Sequence, residues 1–431
     1  MPSVHRSRRH CLAQALGLAA GWPLAGGAAQ AAAVGKLSVA AYPLVDQIVK
    51  DALPAWLARH PGAEVEVISR QYDDHHTAMT TALSTANGGS RHLPDVMALE
   101  ASYLGRFAMG AGLQPLSGSP YDGETLKPRF VSFAFEQARN REGELVALPT
   151  DIGPGCLFYR QDVLAQAGVG IAELTRSWDD YVRAGERIKA RTGAYLMAHA
   201  RYLKDIVALT GAPAGQSVYF DQQGQPRVDG PIFRRAFELA RELRRAKLDA
   251  VVDTWQNDWA EHLRRGRIAT ELTGAWMAGQ LANWVAPQTQ GLWRSSPLPE
   301  GVFIGYGGTY YALPRRADPA RRALAWSLVQ MLTMDRSLQL RAFKSQDAFP
   351  ALLEAQDDPF FDQPVPFLGG QLARQQWRDA ARRIPPRPLH RQHKFAEEVV
   401  NGELDNVLIY GKPVAQALAD AQALLRHRAQ R

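Results

Sequence analysis

The sequence predicts an α/β fold in two lobes with a ligand cleft between them, and three observations predict it. The chain has 431 residues, too many for one hydrophobic core. Short apolar runs alternate with amphipathic segments, the pattern of strands and helices in a sheet covered on both faces. Four of the apolar runs end in glycine or in polar and aromatic residues. Open α/β sheets bind ligands just beyond the carboxyl ends of their strands.

The elements follow in order. Leu37–Ala41 is a short apolar strand, and Pro43–His60 reads as a helix kinked at Pro54. Val65, Val67 and Ile68 mark the next strand, and His75–Ala86 a helix ended by Asn87-Gly88-Gly89. Val96–Leu99 is a strand apolar on both faces, followed by a helix over Ser102–Ala111. This first series implies a parallel sheet.

A second series starts at Leu145–Leu148, a strand that Pro149, Gly153, Pro154 and Gly155 should interrupt before Leu157–Tyr159 resumes it. Ser177 with Asp180 forms a capping box opening a helix from Trp178 to about Arg191. Phe233–Lys247 is a basic amphipathic helix, and Ile268–Thr273 a strand ending in Gly274-Ala275-Trp276. Phe303–Leu313 is a Gly- and Tyr-rich strand, and Asp318-Pro319 caps the next helix. In that helix Leu324, Leu328, Met331 and Leu332 share a face. Pro413–Arg428 closes the chain as a helix with a basic end.

Hydrophobic residues make up 46% and charged residues 22%, a globular composition without a long disordered tract. The net charge of +7 could attract nucleic acid. The arginines are instead spread over helix-like segments, and Arg234, Arg235, Arg241, Arg244 and Arg245 read as one solvated helix face. No nucleic-acid partner is expected. The same charge leaves an anionic ligand open. Cys11 and Cys156 are the only cysteines, so a disulfide framework is absent.

Residues 6–12 read RSRRHCL, followed by an Ala-rich apolar stretch and small residues near Ala32–Val34. A basic start, a short apolar core and a small-residue site define an export signal, here over residues 1–33. Ser7-Arg8-Arg9 with Leu12 resembles the twin-arginine type, with Cys11 in place of its usual Phe. No later segment approaches the ~20 apolar residues of a membrane span. The mature chain is expected as a soluble monomer in the periplasm.

The stretches PDVMALEASYLGRFAMGAGLQPL, VALPTDIGPGCLFYRQDVLAQAGV and SWDDYVRAGERIKARTG follow one another in a telling order. GRIATELTGAW and YALPRRADPARRALAWSLVQML complete it. With these residues the chain resembles family 1 extracellular solute-binding proteins, the maltose-binding type, over nearly all of its mature length. The departure is Thr270 or Glu271 where that family usually has Met. The resemblance implies a type II periplasmic-binding-protein-like fold whose lobes are joined by two or three crossings and close by hinge bending. It implies a first lobe over 34–149, a second over 150–302, a return segment at 303–334, and C-terminal helices at 335–431 mostly in the second lobe. It also implies an ABC importer permease as membrane partner.

Such a protein captures a small polar ligand such as a sugar or polyol. Sugars offer hydroxyls and an apolar C–H face, so a site needs carboxylate acceptors and aromatic platforms, with every buried polar group hydrogen-bonded. Trp276 after Gly274, Asp151, Glu100, Tyr103, Tyr42 and Tyr310 meet that need at strand ends, with backbone groups at Gly308 and Thr309. Trp255 and Trp259 read as helix-packing residues. His75-His76 and His390-x-x-His393 lack a third metal ligand at useful spacing and read as surface residues. No phosphate-loop, GxSxG or HExxH pattern calls for a cofactor or a catalytic centre. Two other functions fit the scaffold. A thiaminase-like enzyme would use Cys156 as nucleophile and Glu271 as base, and a ferric-ion binder would use Tyr310 and Tyr311.

Overall fold

The computed structural model describes residues 36–84 and 93–429. The export signal and the Asn87-Gly88-Gly89 helix stop lie outside the described residues. Seven strands form one sheet path. They are β1 (Lys36–Ala41), β2 (Glu64–Ser69), β3 (Val96–Glu100), β4 (Leu148–Arg160), β5 (Thr270–Gly274), β6 (Trp293–Ser296) and β7 (Gly305–Ala312). The order is β2-β1-β3-β7-β4-β5, with β6 also on β4.

β1, β2 and β3 are parallel, as the strand–helix alternation predicts. β7 enters antiparallel between β3 and β4, because the chain returns to this lobe from the other one. β4 corrects the expected interruption: it runs unbroken for 13 residues. Its first half pairs with β7 and its second half with β5 and β6, all antiparallel. Register shifts fall between Pro149 and Asp151 and between Ile152 and Pro154. Proline has no N–H for the ladder, so it is accommodated where the pairing is irregular.

Short bridges extend the second lobe, parallel from Tyr195 to Ile268 and from Met197 to Asp249. One face of that lobe's sheet presents Leu157, Tyr159 and Leu272 to Trp178, Tyr181, Phe233 and Phe237. The opposite face carries Cys156 and Phe158, packed with Trp293 and Trp377. In the first lobe Val39, Met97 and Leu99 pack with Leu104, Phe107, Leu328 and Val329.

Capping follows the sequence reading. The Ser177 hydroxyl accepts from the Asp180 amide at 3.0 Å at the start of the Trp178–Thr192 helix. Asp318 accepts from the Ala320 amide at 2.9 Å. The basic helix is only partly a solvated face, because Arg244 turns inward to pair with the buried Asp249 at 2.7 Å. In the C-terminal part, the Arg336–Gln346 helix packs on the Val45–Leu57 and Arg322–Met334 helices. The Ala373–Arg383 helix packs on β4, and the His393–Tyr410 and Val414–Ala429 helices pack on Pro231–Arg245.

Three segments run side by side between the lobes: the middle of β4, the start of β7, and residues 347–352. Ile152 donates its amide to the Phe349 carbonyl at 2.8 Å, and Ala351 donates to Thr150 at 3.1 Å. Gly153 sits where β4 and β7 come close, and a Cβ there would run into the Tyr306 carbonyl. Overpacking of this kind costs about 1–3 kcal/mol. Gly153→Ala is therefore expected to lower the melting temperature in a thermal-unfolding measurement. An unchanged melting temperature would show that β4 and β7 have room to separate.

Candidate functional site

A cavity of about 990 Å³ opens between the lobes where the three segments cross. That volume lies at the upper end of ordinary small-ligand sites. The first lobe supplies Tyr42 just past β1, Tyr72, and Glu100 with Ser102 at the end of β3. The crossings supply Asp151, Asp347 and the Ile304–Thr309 stretch. The second lobe adds Trp255, Trp276, Asp205 and Tyr219, and the C-terminal part adds Arg387, Lys394 and Glu397.

Trp276 is held as a plate. Its indole N–H donates to the Tyr306 carbonyl at 2.9 Å. Gly153 and Gly274 make the seat, since a Cβ on either would collide with the Tyr306 carbonyl and crowd the indole nitrogen. With the edge hydrogen-bonded, the flat face is what remains for a ligand. Trp255 corrects the expectation that it packs a helix. It is 56% exposed with φ +69°, and it stacks on Trp276 with ring centroids 5.9 Å apart and planes at 26°. Trp259 does pack, buried, with its N–H donated to Glu271 at 2.8 Å.

The carboxylates face this plate from the first lobe and the crossings. Glu100 accepts from the Tyr72 hydroxyl at 2.7 Å and from the Ser102 amide at 2.8 Å, so it also caps the Ala101–Ala108 helix. Burial pushes its carboxyl up, against the hydrogen bonds that pull it down. Burial pushes Asp151 up to about 6. Its Oδ2 accepts from Thr309 at 3.4 Å, Thr309 lies 2.7 Å from the Tyr42 hydroxyl, and its Oδ1 is buried without a partner. Gly308 has φ +133°, and a Cβ there would sit 2.8 Å from the Asp151 carbonyl, so only glycine lets the two crossings come this close. Asp347 is pushed up to about 7 by burial.

Six of the eight residues singled out from sequence line the cavity: Trp276, Asp151, Glu100, Tyr42, Gly308 and Thr309. Tyr103 and Tyr310 do not. Tyr103 stacks on His76 at 4.1 Å and donates to Asp73 at 3.0 Å, turned aside by the phase of its helix. Tyr310 follows cleft-facing Thr309, and strand alternation sends it to the opposite side, where it donates to Gln137 at 3.3 Å. Tyr311 points away from Tyr310, so the two phenols do not converge on one ion.

The histidines need correction too. His75 and His76 are fully buried instead of being surface residues. One ring nitrogen of His75 contacts the Ala98 carbonyl at 2.7 Å, and His76 bonds the Tyr72 carbonyl at 2.8 Å and the Glu100 amide at 3.1 Å. His390 stacks on Phe220 at 3.6 Å. His393 lines the cavity, where burial holds it down near a pKa of about 4. Among the described residues no group of three His, Cys, Asp or Glu side chains is placed to hold a metal. Cys156 is buried, and burial pushes its thiol up to about 12, far from the range of a nucleophile.

The cleft cations are already engaged. Arg387 donates to the carbonyls of Pro213 at 3.0 Å, Leu209 at 3.1 Å and Gln216 at 3.4 Å. Lys394 pairs with Glu397 at 3.2 Å and sits 5.5 Å over the Tyr103 ring. Next to them the His390 carbonyl lies 2.6 Å from where a Cβ on Gly105 would be, so the second lobe touches the first across the cleft. Sequence reasoning missed Tyr72, Trp255, Tyr219, Arg387 and Lys394.

No helix of the described residues is long and apolar enough to cross a membrane. The chain is 26% identical over 384 residues to the lactose-binding protein of Rhizobium radiobacter, covering 86% of this chain and 87% of that one. A crystal structure of an extracellular solute-binding protein of family 1 superposes with a TM-score of 0.78 at 21% identity, covering 92% of this chain and all of the other. The ABC-transporter-associated binding protein of B. animalis subsp. lactis, in complex with β-1,6-galactobiose, superposes with a TM-score of 0.74 at 21% identity, covering 91% and 97%. The sequence profile described as bacterial extracellular solute-binding protein matches residues 52–367. The chain belongs to the family of bacterial extracellular solute-binding proteins.

Proposed function

We propose that this protein captures an uncharged sugar in the interlobe cleft and hands it, chemically unaltered, to an ABC import permease. The observation that carries this is the pairing of the anchored Trp276 plate with the Glu100 and Asp151 carboxylates in one cavity. A pyranose or furanose ring presents a C–H face to the first and hydroxyl donors to the second. The names of similar proteins support it: one is lactose-binding and another holds galactobiose. The engaged cations support an uncharged ligand: Lys394 is paired with Glu397 and Arg387 is bonded to three carbonyls, while Glu100, Asp151 and Asp347 would face an anion in the cleft. The buried, high-pKa Cys156 supports capture without catalysis. The export signal expected at residues 1–33 supports the periplasm as the place where it works.

The direct test is Trp276→Ala in a calorimetric titration. Aromatic anchors commonly contribute more than ~1 kcal/mol, and about 1.4 kcal/mol is tenfold in Kd. Sugar binding should weaken at least about tenfold, and full affinity in the variant would remove Trp276 from the site.

Asp151 makes binding depend on pH. Ligand hydroxyls donate to the ionised carboxylate, so binding favours the deprotonated form. With a free-protein pKa of about 6, affinity should be full above that pH and fall as pH drops through it. Asp151→Asn should flatten this part of the profile. A Kd that is constant from pH 8 to pH 5 in the parent protein would contradict the role.

A further inference from the structure

Trp276 begins a helical stretch whose outward residues continue beyond the cleft. The Met277–Gln280 helix passes without a break into a π-helical turn over Leu281–Val285, with Gln280 and Leu281 both right-handed helical. Met277, Ala278, Gly279, Leu281 and Val285 are buried against the lobe. The opposite stripe is Trp276, Gln280 and Trp284, spaced four residues apart, and residues at that spacing stand on one helix face. Trp276 and Gln280 line the cavity. Trp284 comes next and is 63% exposed, a large indole left in water. At about 1.5 Å of rise per residue Gln280 stands ~6 Å beyond Trp276, and Trp284 follows within the π-turn. π-turns of this kind are often found at functional sites.

We propose that Trp284 is an outer platform for the further rings of an oligosaccharide whose first rings occupy the cleft. The inference rests on the sugar reading above and adds a chain-length preference to it. Continuity decides the occupant. Trp255, 56% exposed, stacks on Trp276, so aromatic faces line the way out of the cavity. Gln280 between the two tryptophans offers an amide to hydroxyls on the same side. A ring emerging along this stripe meets an indole about one sugar unit after the polar side chain. Sequence reading passed over Trp284 because nothing in Leu281–Ala286 marks which side faces solvent.

The test is calorimetric titration of the mature protein and of Trp284→Ala and Trp284→Tyr. The probes are neutral galacto-, arabino- and malto-oligosaccharides from two to five units. In the parent protein the longer members of the bound series should bind about tenfold tighter than its disaccharide, the contribution of one aromatic anchor. Trp284→Ala should lose most of that gain and leave the disaccharide within about twofold, while Trp284→Tyr keeps it. Equal weakening at every length, or no weakening at any length, would overturn the outer platform. So would a Trp284→Ala variant that keeps the gain but loses self-association in sedimentation, which would assign the indole to a second copy. Absence of binding to every probe by the parent protein would overturn the sugar reading itself, a result distinguishable from a bound series with no chain-length gain.

Discussion

β4 carries the strand ladders of both lobes, and its 13 residues must satisfy two sheets without a loop between them. The first half lies against β7 and the second against β5 and β6. Prolines are tolerated only at its register shifts, and Gly153 and Gly155 are needed where the partner backbone at Ile304–Tyr306 closes in. A strand shared in this way fixes where the lobes meet. The cavity forms beside it, and the ends of β3, β5 and β7 all deliver side chains to the same place. The Trp276 indole completes the arrangement by bonding the end of β5 to the carbonyl of Tyr306 on β7.

The chemistry of the cleft follows from burying acids beside aromatics. Removal from water raises the carboxyls of Glu100, Asp151 and Asp347. Hydroxyl donors from a ligand restore part of that lost solvation, which gives the acids a reason to prefer a polyhydroxylated partner. Arg387 and Lys394 act within the protein instead. Arg387 ties the 384–392 segment to the carbonyls at Leu209, Pro213 and Gln216, and Lys394 neutralises Glu397. The His390 carbonyl then reaches Gly105, so the same segment bridges the two lobes.

Much of this was legible in the sequence because strand ends are local features. A strand followed by glycine and an aromatic residue, as at Ile268–Trp276, declares both the strand and the exposed end. The same logic found Glu100 and Asp151. It failed where side-chain direction depends on phase: Tyr103 and Tyr310 sit one position away from cleft-facing neighbours. It failed for His75 and His76, which read as surface residues for want of a third metal ligand, while backbone groups at Ala98, Tyr72 and Glu100 in fact satisfy the rings. Trp255 adopts φ +69°, a conformation that a helical reading of its surroundings does not anticipate. Residues 384–397 reach the cleft only through long-range packing, which no local pattern encodes.

The account stands or falls on an uncharged ligand held between an indole plate and raised carboxylates. Titration calorimetry of the mature protein against matched sets addresses it: a neutral sugar, the corresponding uronic acid and the corresponding sugar phosphate. The account predicts saturable binding of a neutral member and at least about tenfold weaker binding of its anionic counterparts, because like charges brought together across a site cost several kcal/mol. Tighter binding of the phosphorylated or acidic sugar would contradict it.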